Sequence, residues 1–213
     1  MPTIDPTHGG SHFDPDERDA LEAPESTRRS AQNWHLGPDV AHEIYAKAKP
    51  VVEALGISVV EAEMPEGSMG FVDGESVGID TRLEPERQLY HLIHFAAHSV
   101  HWAIEPGDRR FALPTVGALE GEEMDRYVAY EKTVGEYAAT ILIQAGGRDH
   151  LEWLSRFARA DLDNFIAICR YPDIEFRFES FLIENPPEVA PRAIPEGLQA
   201  IRLGHTVNII PSA

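Results

Sequence analysis

The chain has 213 residues, with 36 acidic and 18 basic side chains and a net charge of −18. No surplus of Lys and Arg is left to displace counterions, so direct binding to nucleic-acid phosphates is excluded as an expectation. A hydrophobic content of 43% suits a folded domain with a real core, and no apolar run approaches the ~20 residues of a membrane span. MPTIDPTHGG has neither the basic nor the apolar region of a secretory signal, so a cytoplasmic protein is expected. The lone Cys169 reads as a small buried hydrophobe and leaves no intramolecular disulfide or cysteine-based zinc site.

Residues 1 to 36 are rich in Gly, Pro, Ser and charge, and predict a disordered or loosely attached tail. Residues 37 to 185 carry the periodic segments of an α+β domain, and 186 to 213 read as a Pro-rich extension ending in a short strand or hairpin. Within the domain, Gly37-Pro38-Asp39 opens a helix through Val40, Ile44, Ala48, Val51 and Leu55, with Pro50 expected to kink or interrupt it and Gly56 to end it. Ile57 to Glu63 reads as a strand. Met69 to Val72 and Ser76 to Asp80 read as a hairpin around Asp73-Gly74. A small three-stranded sheet packed on a helical bundle follows.

Glu84-Pro85-Glu86 starts the next helix, with proline where its missing N–H costs nothing. It continues through Tyr90 to Trp102, without Gly or Pro, to about Ile104. Residues 105 to 121 predict a long loop. A helix from Glu122 to Ala145 carries Glu131 in its apolar stripe beside Tyr127, Val134 and Ala138. A buried carboxylate there must be paired, hydrogen-bonded or bound to a metal. Glu136 lies about 140° away round the helix and is expected nearer solvent. Asp149 to Arg170 reads as a further amphipathic helix or helix pair. Ile174 to Ile183 fits either a strand or a helix.

Four of the ten histidines fall between positions 91 and 101, within about an 80° arc of one helical face. His94 and His98 are the i, i+4 pair that can grip one ion, the HxxxH half of a zinc site. His91 lies ~10.5 Å along the axis from His98 and cannot join it on one ion. His91 and His101 therefore read as outlying groups, with His101–His98 an alternative pair. The competing reading is a helix whose histidines hydrogen-bond to tyrosines and backbone.

Val77-Gly78-Ile79-Asp80, Glu86 to Tyr90 and HLIHFAAHSVH, followed by Glu131 to Leu142 and His150 to Ile168, resemble zincin-type metallopeptidase domains. The similarity covers roughly residues 57 to 183. It is closest to the C-terminal domain of plasmid antirestriction protein C and to phage polyvalent proteins, and more distant to the immunity-repressor peptidases of mobile elements. The resemblance implies a zincin-like fold and zinc held by His94, His98 and Glu131, with Glu136 the fallback ligand or a candidate base. Phe95 departs from the pattern, because an HExxH peptidase keeps its general-base glutamate at that position, worth ~10²–10⁴-fold in rate. The expectation is a degenerate metallopeptidase-like protein that binds a protein or peptide partner and has little or no peptidase activity. One alternative is an active zinc-dependent hydrolase whose base is relocated. Another is an acidic DNA-mimic antirestriction protein in which the histidine helix is scaffold.

Overall fold

A computed structural model describes residues 35–112, 119–171, 173, 174 and 176–209. Among these, four α-helices accompany one four-stranded mixed sheet. Helix α1 (Pro38–Ala54) precedes β1 (Ser58–Ala62), β2 (Gly70–Val72) and β3 (Ser76–Asp80). Helix α2 (Pro85–Ile104) leads through a 3₁₀ segment, Pro106–Ala112, to α3 (Gly121–Gln144) and α4 (Leu151–Arg170). Strand β4 (Val207–Ile209) comes last. The α+β class is as the sequence predicts.

The sheet order is β1-β3-β2-β4, with β1 parallel to β3 and the other pairs antiparallel. The expected three-stranded sheet is thus corrected to four strands. The free edge of β2 offers unpaired N–H and C=O groups, and the C-terminal segment returns to satisfy them. It is fastened at the hairpin turn, where Leu203 N–H donates to the Asp73 carbonyl at 2.7 Å. The turn is an Asx turn: Asp73 Oδ1 accepts from the N–H groups of Glu75 (3.0 Å) and Ser76 (2.7 Å). Gly74 has φ +92°, and a Cβ there would stand 2.1 Å from the Ile201 carbonyl oxygen. Only glycine satisfies both the turn and the returning arm.

Helix α2 is the centre of the molecule and touches α1, α3, β2 and β3. From Leu89 to Trp102 only His98 is not fully buried. The long uncharged run predicts this burial on all sides, because an element covered on every face has no polar stripe to keep. Phe95 is 2% exposed and faces the sheet, where its ring closes so tightly on β2 that a Cβ at Gly70 would lie 2.9 Å from it.

Helix α1 runs unbroken through Pro50. The first half of the expected loop, 106 to 112, is a 3₁₀ segment; residues 113–118 lie outside the described residues. The ambiguous stretch near 174–183 holds a single 3₁₀ turn, Phe178–Phe181. Residues 1–34 of the expected tail also lie outside the described residues. Its last two residues are attached to the domain: Leu36 is buried and its N–H donates to Glu86 Oε1 at 2.8 Å. The same oxygen accepts from Trp153 Nε1–H at 2.7 Å, so one carboxylate ties together the chain entering α1, the first turn of α2 and α4. No helix among the described residues is long and apolar enough to cross a membrane.

Candidate metal centre

His94 and His98 rise one turn apart from α2, and Glu131 reaches them from α3. One ligand atom from each lies within 4.8 Å of the other two. The Nε2 atoms are 3.1 Å apart. Glu131 Oε2 is 3.8 Å from His94 Nε2, and Oε1 is 3.9 Å from His98 Nε2. A tetrahedral zinc ion with ~2.0–2.1 Å bonds sets its ligand atoms about 3.3–3.4 Å apart. The two imidazole nitrogens and one carboxylate oxygen, mutually within 4.8 Å, therefore leave room for one ion once the carboxylate closes in.

Electrostatics point the same way. Burial holds the His94 imidazole below its ordinary pKa and that of His98 well below it, so both stay neutral with lone pairs available. Burial, and then the charge of Asp161, push Glu131 up to about 8, against a hydrogen bond from Tyr127 that lowers it. A buried carboxyl that is poorly ionised alone becomes a stable carboxylate when a cation replaces the missing solvation. The donor set, two neutral imidazoles and one carboxylate, is one that a divalent transition-metal ion can accept with a position left open.

The rings are held by aromatic neighbours. His98 Nδ1 lies 2.5 Å from the Tyr130 hydroxyl. A proton on Nδ1 donated to that oxygen leaves Nε2 free to face an ion. His94 stacks on Tyr90 at 5.1 Å between centroids and 15° between planes, while its Nδ1 has no hydrogen-bond partner among the described residues. The ring is held by this stacking and by the contact of its Nε2 with His98 Nε2.

The other candidates lie elsewhere. His91 is buried against Phe95, with 5.0 Å between ring centroids, and burial lowers its pKa to about 3. It lines a cavity of about 60 Å³ that reaches Tyr90 and Asp161. His101 points away and meets Asp108 Oδ2 at 2.9 Å, at the wall of a larger open cavity of about 410 Å³. It does not replace His94 as a partner for His98. Glu136 is not brought to the cluster either. Its Oε2 accepts from Arg192 Nε–H at 2.6 Å, as its angular distance from Glu131 on the helix requires.

Two neighbours of the cluster were not singled out from the sequence. Tyr130 carried a weak signal, standing next to Glu131. Asp161 carried none, because only the packing of α4 brings its Oδ2 within 3.6 Å of His94 Nε2. Comparison with family models, with curated proteins and with solved structures finds no match for this chain. The family resemblance rests on the sequence motifs quoted above.

Proposed function

We propose that the chain is a zinc-binding protein with a zincin-like domain, related to the metallopeptidases of plasmid antirestriction and phage polyvalent proteins. His94, His98 and Glu131 would hold one ion and leave a position open for an oxygen donor of a protein or peptide partner. The observation that carries this reading is the convergence of three ligand atoms from two helices within 4.8 Å. When bound, zinc polarises a carbonyl oxygen at its open position. Helix α2 supplies no proton acceptor beside it, because Phe95 is given over to packing against β2. Recognition of a peptide carbonyl or carboxylate follows from the ion alone, whereas hydrolysis by the usual HExxH glutamate does not.

The test is capture from a displayed peptide library by the full chain, zinc-loaded or stripped with a chelator. Peptides retained by the loaded protein and released by chelation are expected. Retention unaffected by chelation would remove the ion from the recognition mechanism.

A further inference from the structure

Resting on the metal reading above, we infer that Asp161 is a proton acceptor for peptide hydrolysis at this site, in the role that Phe95 cannot fill. Its Oδ2 lies 3.6 Å from His94 Nε2, on the side chain of a third helix, α4. It stands beside the cluster and not within it, since the group of atoms mutually within 4.8 Å is completed by His94, His98 and Glu131 alone among the described residues. A carboxylate just outside the coordinating set is placed to touch whatever occupies the open position.

Three further features fit this role. The Asp161 side chain is 45% exposed, so water and substrate reach it, unlike Glu131. No Lys or Arg pairs with it among the described residues; Glu136, by contrast, is engaged by Arg192. Its orientation is nonetheless fixed, because the Tyr90 hydroxyl donates to Oδ2 at 3.1 Å, and Tyr90 is itself stacked on His94.

The cavity of about 60 Å³ adjoins this carboxylate and is walled by Tyr90, His91, Phe157 and Asn164. His91 Nδ1 is buried there without a hydrogen-bond partner among the described residues. The space has room for a small substrate group beside Asp161.

The step balances without a further reactant. A water molecule beside Asp161 gives one proton to Oδ2 as its oxygen bonds to the carbonyl carbon of a peptide. The amide C–N bond breaks, and the amine nitrogen takes the proton that Asp161 received. A carboxylic acid and an amine leave, and Asp161 is again ionised.

The experiment uses the full chain and its Asp161→Asn and Asp161→Glu variants, all equilibrated with zinc. Three quantities are read: zinc per chain, cleavage of a fluorogenic peptide mixture, and the affinity for acetohydroxamate, a small metal-binding acid whose N–H and O–H groups would face Asp161. All three proteins are expected to hold one zinc per chain. Asp161→Asn should lose at least about 100-fold in chelator-sensitive cleavage and about 10-fold or more in acetohydroxamate affinity, with part of both restored in Asp161→Glu. Equal cleavage and equal acetohydroxamate affinity in Asp161→Asn and the parent, with zinc retained, would overturn the inference alone. So would a zinc-loaded parent that does not cleave. A parent that binds no zinc would overturn the metal reading and the inference together.

Discussion

His94 and His98 share helix α2 with His91 and His101, yet the two pairs have different chemistry. All four rings are shielded from solvent, and the helix presents them on one face. What separates them is the company supplied by other elements. The inner pair meets Glu131 from α3 and Tyr130 beneath it. His91 meets the ring of Phe95 and the wall of a small cavity, and His101 meets Asp108 from the 3₁₀ segment. A histidine-rich helical face therefore does not by itself define ligands. The carboxylate that arrives from a neighbouring helix selects which imidazoles can share an ion.

The strongest way to break this contrast is to delete the rings one at a time. His94→Ala or His98→Ala should weaken zinc binding on the order of 10²–10³-fold, as expected for removing one of three protein ligands. His91→Ala and His101→Ala should leave it nearly unchanged in the same competition titration. A comparable loss from His101→Ala would return His101 to the ligand set.

A second test concerns the position where the family motif departs. Phe95→Glu places a carboxylate in the contact between α2 and Gly70 of β2. We expect it to lower unfolding stability by about 3–5 kcal/mol without raising chelator-sensitive cleavage above the parent's. Wild-type stability together with increased cleavage would mean that this position can face the ion. Tyr130→Phe is gentler: it removes the hydroxyl that meets His98 Nδ1 and should cost about tenfold in zinc affinity. The metal-free protein should lose about 1–3 kcal/mol of unfolding stability, because the His98 Nδ1 is left without its partner.

The pH dependence sharpens the contrast in the metal-free protein. Glu131, raised in the fold from 4.5 to about 8, contributes stability that is fully present below pH 4.5 and lost as pH rises through 8. His91, lowered from 6.5 to about 3, contributes stability that is present above pH 6.5 and lost as pH falls towards 3. Zinc requires ionised Glu131, so its affinity should rise by about tenfold per pH unit between pH 6.5 and 8 and then flatten. A flat profile across that interval would separate Glu131 from the ion.

Much of the fold was legible because the signals were local. The run from Leu89 to Trp102, bounded by Glu84-Pro85 and by Pro106-Gly107, could only be a buried helix. Asp73-Gly74 marked the hairpin. Glu131 betrayed itself as an acid inside an apolar stripe. β4 was not legible as a sheet partner, because a three-residue strand after a Pro-rich arm has no periodicity to read. Its place is set by the free edge of β2 and the contact at Gly74. Asp161 was silent for a similar reason, since nothing between Ala160 and Asn164 distinguishes it from neighbouring acids until α4 is laid beside α2.

The central claim is tested most directly by measuring zinc in the purified, untagged chain beside the His94→Ala, His98→Ala double variant, both equilibrated with zinc and then freed of unbound metal. The account predicts one zinc per chain in the parent and none retained by the variant. No zinc in the parent, or equal zinc in both, would contradict it.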